Sequence, residues 1–259
     1  MPTLTEEIQV NGSAGSIAEP HLITEDQVQD LQRVNVPGRF CCGVKRVLDF
    51  ILSALGLAVL LVPLAMTALV VYMDDPGNVF FCQKRVGRNG KLFKLYKFRT
   101  MKRDTPKYMA TMDVDDPDKY ITRVGHVLRK LSLDEIPQLF NVLKGDMSLV
   151  GPRPLIPNEE EIHAMRERFG VYAVRPGVTG LAQINGRDTV SPAEKVRWDV
   201  RYVEHFGFWL DVKILFATVP KIFGGEGVVE GYDSSRSDGE KADSAETEAL
   251  EANEAVGVN

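Results

Sequence analysis

Residues 50–73 read FILSALGLAVLLVPLAMTALVVYM, 24 positions without a charged side chain. At helical rise they extend about 36 Å, against a bilayer hydrocarbon core of roughly 30 Å. A buried core helix rarely stays uncharged for so long, so the segment reads as membrane material. Pro63 divides it into arms of 13 and 10 residues. The arms reach only about 20 and 15 Å, and proline both lacks a donor and crowds the preceding turn. Neither arm crosses a bilayer alone. Bases flank both ends, Arg39, Lys45 and Arg46 before and Lys84, Arg85 and Arg88 after, which favours placing both ends on the cytoplasmic side. The expectation is a re-entrant helix–break–helix bent at Pro63, whose freed backbone groups need partners in protein or water.

Around this segment the composition is globular. Of 259 residues, 44% are hydrophobic and 26% charged, which excludes a wholly disordered chain and a multi-span membrane protein. Three cysteines, with Cys41 and Cys42 adjacent, cannot form an even, spaced disulfide framework, and no Cys/His cluster has zinc-ligand spacing. A reducing compartment is expected. The net charge of −5 hides a division: residues 1–38 hold six acids and one base and residues 231–259 eight acids and two bases, leaving the middle at +6. Such a middle favours anionic partners such as phosphates, nucleotides or anionic lipid. Residues 1–38 are expected to form a flexible acidic leader with no signal-peptide features, and residues 231–259 a disordered acidic tail. Between them, residues 39–76 hold the membrane helix and residues 77–230 one cytoplasmic catalytic domain.

From Pro76 to Arg103 there are nine bases and no acid. Val79–Phe81 and Leu92–Phe98 alternate as two strands joined by Gly87-Arg88-Asn89-Gly90, where Asn-Gly supplies the positive φ of a tight hairpin. This basic hairpin suits anionic headgroups and bound phosphates alike. The remainder reads as helices over Lys119–Lys130, Asp134–Lys144 stopped by Gly145, Asn158–Phe169, a helix opened by Ser191-Pro192-Ala193-Glu194, and Trp209–Phe223. The last carries an apolar stripe suited to the membrane interface or to a protein core. The fold class is α+β, mostly helical, with amphipathic interfacial helices around one catalytic domain.

The chemistry concentrates in Arg129-Lys130-Leu131-Ser132-Leu133-Asp134-Glu135-Ile136-Pro137-Gln138. A capping box between Ser132 and Glu135 is one reading. A helix starting at Asp134 fits Pro137 better, since proline is best tolerated in a first turn. Neighbouring helical residues diverge by about 100°, so two such carboxylates can divide labour, one attacking and one holding a cation. Downstream, prolines on both sides restrict Arg153, and a guanidinium fixed this way suits a phosphate clamp. A glycine-rich loop then runs from Arg175 to Arg187. His21, His126, His163 and His205 join no acid or serine motif and read as surface or packing residues; no P-loop, Rossmann turn or Ser-His-Asp arrangement occurs.

Lys45-Arg46 with Asp49 before the proline-bearing segment, Lys97-Phe98-Arg99-Thr100-Met101, Leu133-Asp134-Glu135-Ile136-Pro137-Gln138, Gly151-Pro152-Arg153-Pro154, Arg175-Pro176-Gly177 and Asn185-Gly186-Arg187 occur in that order. Over about residues 40–225 the sequence resembles the bacterial sugar transferase family, the monotopic polyprenyl-phosphate phosphoglycosyl transferases. The resemblance implies transfer of a sugar-1-phosphate from a UDP-sugar to a polyprenyl phosphate such as undecaprenyl phosphate, initiating glycan or exopolysaccharide assembly. It places the nucleophile on Asp134, which would form an aspartyl-phosphosugar intermediate, and a Mg²⁺ ligand on Glu135. Arg153, Arg129 and Lys97 match family positions for substrate phosphate, with Arg99, Arg175 and Arg187 in further motifs. Asp199 matches a family acid whose role in metal, nucleotide or structure stays open. The helix bend falls on Pro63, commonly preceded by serine, where this chain has Val62. The implied setting is the bacterial inner membrane with the catalytic domain facing the cytoplasm. Membrane lipids are partners, nucleic acid is not, and a homodimer is compatible. A non-catalytic membrane adaptor with a lipid-gripping hairpin is the competing reading. A glycosidase-like use of the carboxylates fails because adjacent residues cannot flank a sugar ring from opposite sides.

Overall fold

The computed structural model describes residues 28–35, 37–103, 105, 117–186 and 191–224. Its architecture is α+β and mostly helical. Helix α1 (Arg39–Asp74) starts after Pro37-Gly38 and runs unbroken for 36 residues with Pro63 inside it. The interruption expected at Pro63 is absent from the backbone. Proline removes one helical donor, but packing on both sides of it holds the helix in register. Asp49, Ser53 and Leu57 are buried before it, and Leu64, Ala68 and Val71 pack on the domain after it, all on one helical stripe. Among the described residues α1 alone is long and apolar enough to cross a membrane.

Both ends of α1 are fastened to the same domain. At its start Lys45 Nζ lies 2.5 Å from the Asp211 carboxylate, and Arg46 donates to the carbonyls of Val142 and Leu143 at 2.5 and 2.8 Å. Asp49 accepts the Leu149 N–H at 3.2 Å. At its end Asp74 and Asp75 accept the N–H groups of Val124 and Arg103 at 3.0 and 3.1 Å. The opposite face is bare and apolar, with Leu55, Val59, Val62, Met66, Leu69 and Met73 all exposed.

Strands β1 (Phe80–Val86) and β2 (Leu92–Phe98) pair antiparallel from Phe80↔Phe98 to Val86↔Leu92. Asn89 (φ 56°) and Gly90 (φ 71°) turn the chain between them, as the Asn-Gly step foretold. The first strand is longer than expected, because Lys84 and Arg85 continue the pairing. Helix α2 (Arg123–Lys130) begins at Thr122, whose hydroxyl accepts the Gly125 N–H at 2.9 Å. Helix α3 (Gln138–Lys144) ends at Gly145 in the left-handed region (φ 95°).

Strand β3 (Ser148–Val150) pairs in parallel with β4 (Gly177–Thr179), a two-stranded sheet the loop readings did not foresee. Glycine is required there: a Cβ on Gly177 would lie 2.1 Å from the Gly151 nitrogen. The strands are flanked by α4 (Glu160–Phe169), α5 (Leu181–Ile184), α6 (Pro192–Glu204) and α7 (Phe208–Gly224). The capping box expected at Ser191 and Glu194 is present. Val150, Val171, Val196, Val200, Tyr202 and Ile214 form the main core, and Val28 and Val34, within the segment read as a leader, are buried against it. Phe208, Trp209 and Phe216 of α7 are exposed.

Candidate active site

Asp134 and Glu135 lie on a 3₁₀ turn, Leu133–Glu135, between α2 and α3. The helix expected from Asp134 starts later, at Gln138, with Pro137 as its cap. Proline at the cap loses no helical donor, so the turn before it is released from helical geometry. Ser132 precedes the turn in the left-handed region (φ 53°), uncommon for serine and typical of functional turns. The Ser132–Glu135 capping box does not form, because Glu135 is engaged elsewhere.

Glu135 Oε1 accepts from Lys97 Nζ at 2.6 Å and from Arg153 at 3.1 Å. Burial alone would raise its pKa, but Lys97 and Arg153 outweigh it and hold the carboxyl well below the usual range. Asp134 is also buried, yet Lys97 Nζ stands 3.9 Å away. Burial therefore pushes Asp134 above its ordinary value, aided by the charge of Glu135 and opposed by Lys97, Arg129 and Arg153. The pair is split. Glu135 is ion-paired and hydrogen-bonded to two cations, and Asp134 is a buried acid 3.9 Å from Lys97 without a hydrogen-bonded cation among the described residues. Environments that drive neighbouring carboxyls apart assign them different tasks.

Each cation arrives on its own element. Lys97 comes from β2, Arg153 from the loop after β3, and Arg129 from the last turn of α2, where its Nε donates to Thr100 Oγ1 at 3.0 Å. Close packing of α2 on Thr100 requires Gly125, since a Cβ there would sit 2.2 Å from the Thr100 carbonyl oxygen. Cations clustered around two adjacent acids suit chemistry on a phosphate.

The bacterial sugar transferase family matches this chain over residues 40–225. The chain belongs to that family. Relatives of this sugar transferase include the undecaprenyl-phosphate glucose phosphotransferase of Komagataeibacter xylinus, 41% identical over 68% of this chain and 35% of that protein. The uncharacterized sugar transferase EpsL of Bacillus subtilis is 43% identical over 71% of this chain and 90% of its own length. The UDP-glucose:undecaprenyl-phosphate glucose-1-phosphate transferase of Escherichia coli is 42% identical over 70% of this chain and 40% of that protein. The match thus spans well under half of two of these relatives and nearly all of the third.

In this transferase not every residue singled out from sequence reaches the acid pair. Arg99 turns away, donating to the Asp75 carbonyl and lying 3.5 Å from the Asp75 carboxylate, so it secures the exit of α1. Arg175 donates from Nε to the Gly145 carbonyl at 2.9 Å and belongs to a group at the start of α1. Arg187 lies outside the described residues. Asp199 is buried against Arg166 at 2.5 Å, and Arg166 also donates to the Arg153 carbonyl at 2.8 Å. Asp199 therefore reaches the Arg153 loop through Arg166, from behind the acid pair.

Two contributors are not singled out for this site in the sequence, where Arg85 reads only as a basic flank of the apolar segment. Arg85 donates to the Pro154 carbonyl at 3.3 Å and to Gln83 at 2.7 Å, and its buried Nε has no partner among the described residues. Burial, then the charge of Arg153, lowers its pKa to about 10. Asn141, fully buried, accepts the Tyr96 N–H at 3.1 Å and donates to the Lys94 carbonyl at 2.6 Å, fixing α3 to the strand that carries Lys97. The alternation of Arg85 with hairpin residues was a usable signal for the first. Nothing local marked the second.

Proposed function

We propose that this chain transfers a sugar-1-phosphate from a UDP-sugar to a polyprenyl phosphate, with Asp134 as the covalent nucleophile. A carboxylate oxygen of Asp134 attacks the sugar-bearing phosphorus. The phosphoanhydride bond breaks, and uridine monophosphate leaves with the bridging oxygen. A phosphate oxygen of the polyprenyl phosphate then attacks the same phosphorus, releasing Asp134 and yielding the polyprenyl diphosphosugar. A covalent route suits two anionic substrates, because the first product departs before the acceptor approaches. The observation that carries this reading is the divided acid pair, with Asp134 buried and raised beside Glu135, Lys97 and Arg153.

Mg²⁺ belongs to the same proposal. Such an ion is commonly held by one or two carboxylates together with substrate phosphates. Glu135 is the carboxylate that would contribute to that donor set, while no group of three His, Cys, Asp or Glu side chains among the described residues forms a cage for an ion. A bound Mg²⁺ would offset charge on the diphosphate. Arg153, Lys97 and Arg129 orient the substrate phosphates, with Glu135 holding the first two in place.

The membrane placement we propose is monotopic. With both ends of α1 and the stripe between them fastened to one domain, a helix crossing the bilayer would take that domain with it. The bare faces of α1 and α7 are left for lipid, and the domain for the cytoplasmic side. A non-catalytic adaptor would leave the convergence of Lys97 and Arg153 on Glu135, beside a raised acid, without a use.

The test is purified chain with a UDP-sugar and undecaprenyl phosphate, following uridine monophosphate and, by intact-protein mass spectrometry, a phosphosugar adduct. Asp134→Asn should lose the adduct and at least about three orders of magnitude in turnover. Wild-type turnover in that variant defeats the nucleophile assignment.

A further inference from the structure

The loop that carries Arg153 is fastened by its carbonyls, because Pro152 and Pro154 bring no N–H groups to it. The Pro152 carbonyl accepts from the Gly177 N–H at 2.9 Å and the Leu155 carbonyl from the Val86 N–H at 3.0 Å. Between them the Arg153 carbonyl accepts from Arg166 at 2.8 Å and the Pro154 carbonyl from Arg85 at 3.3 Å. Successive carbonyls are thus held from β4, α4 and β1. The two guanidiniums among these donors differ in how their charge is met. Arg166 is ion-paired with Asp199 at 2.5 Å. Arg85, partly buried, has no carboxylate within ion-pair range among the described residues, and its second bond goes to the neutral side-chain oxygen of Gln83 at 2.7 Å. The charge of Arg153 opposes that of Arg85, while Glu159 and Glu135 favour it from beyond contact. Both acids are committed, Glu159 to the Ile156 N–H at 3.2 Å and Glu135 to Lys97 and Arg153.

A carbonyl asks only for a neutral donor. A charged one at this position, against the repulsion of Arg153 and with its Nε buried and unpartnered among the described residues, is unfavourable in the unliganded protein. Such a charge is useful where an anion arrives, because a cation already in place needs no reorganisation when the anion binds. We infer that Arg85 is a positioning residue for the substrate diphosphate: it fixes the Arg153 loop through the Pro154 carbonyl and holds beside Arg153 a positive charge that the bound diphosphate balances. The inference rests on the reading of Arg153 as a clamp for the sugar nucleotide. It gives Arg85 two separable parts. Lysine at this position keeps the charge and loses the planar fork, and glutamine loses the charge.

The experiment is calorimetric titration of the full chain, in neutral detergent with Mg²⁺, comparing UDP with uridine, which has the base and ribose but no phosphate. Wild type should bind UDP the more tightly. Arg85→Gln should weaken UDP about tenfold and leave uridine unchanged, and Arg85→Lys should weaken UDP only about threefold. In turnover, Arg85→Gln should raise the KM for the UDP-sugar more than it lowers kcat. Circular dichroism melting confirms that each variant is folded. Unchanged UDP affinity in folded Arg85→Gln would overturn the inference, and so would UDP and uridine weakened by the same factor, the mark of a residue that only shapes the domain. Should Arg85→Gln not fold, Arg85→Lys decides, since loss of uridine binding in parallel with UDP would overturn the inference equally. A wild-type chain that binds UDP no better than uridine would overturn the sugar-nucleotide reading itself, and this inference with it.

Discussion

Lys97 Nζ lies 2.6 Å from Glu135 Oε1, and the same ammonium stands 3.9 Å from Asp134. One cation thus sits unequally between two adjacent acids, hydrogen-bonded to Glu135 and only at ion-pair range of Asp134. For Glu135, whose folded pKa is depressed, the stabilisation is present above its unfolded value and is lost as pH falls through the folded one. Glu135→Gln should therefore lower the melting temperature most above about pH 5 and converge with wild type in strong acid. Thermal melts from pH 3 to pH 8 check this. An equal offset at all pH values would mean that Glu135 contributes shape, not charge.

Asp134 has the opposite sign. Its raised folded pKa means that ionising it in the folded protein costs stability above that pKa, and the cost disappears as pH falls. Asp134→Asn should melt higher than wild type near neutrality while losing turnover, the trade expected of a functional group in a strained setting. In wild type, turnover should fall on the acid side at a pH above the ordinary carboxylate range. A rate profile flat down to pH 4 would contradict an elevated nucleophile.

How much of this was readable in the chain differs by element. The membrane helix, the Asn89-Gly90 turn, the Gly145 stop and the Ser191 capping box follow from local chemistry, and they stand where the residues put them. Asp134 and Glu135 were also legible. Their unequal environments were not, because Lys97 and Arg153 come from 38 residues before and 18 after Glu135. Long-range geometry likewise hid the β3–β4 pairing, whose strands are three residues each. Pro63 misled in the other direction. Its local penalty is real, but contacts on both sides of it, made by residues distant in sequence, carry the helix through.

Asn141 tests how the acid pair is kept in line with β2. Its side chain satisfies the Tyr96 N–H and the Lys94 carbonyl from within the core. Asn141→Ala leaves both unsatisfied and should cost about 1–3 kcal/mol, read by chemical denaturation. Turnover should fall further than stability alone explains, since Lys97 and Glu135 then lose their common frame. Full activity per folded molecule would show that α3 holds its place without this strap.

Asp199 acts on the site only through Arg166 and the Arg153 carbonyl. Removing one partner of a fully buried pair costs about 3–5 kcal/mol, so Asp199→Ala should be strongly destabilised. The milder Asp199→Asn keeps a hydrogen-bond acceptor and should fold. In it, the KM for the sugar nucleotide should rise more than kcat falls, because the Arg153 clamp is loosened while Asp134 is untouched. A loss confined to kcat would instead place Asp199 at the reacting atoms.

The fastening of both ends of α1 to one domain makes a claim about topology that intact cells can check. With Cys41, Cys42 and Cys82 replaced by serine, single cysteines are introduced at Asn35 and Lys102, exposed positions before and after the helix. A membrane-impermeant maleimide added outside should modify neither until the membrane is opened, and then both. Labelling of one position alone from outside would mean that α1 crosses the bilayer. The contacts of Lys45 with Asp211 and of Asp74 with Val124 could then not coexist in the membrane-bound enzyme, since they hold the two ends of the helix to the same body.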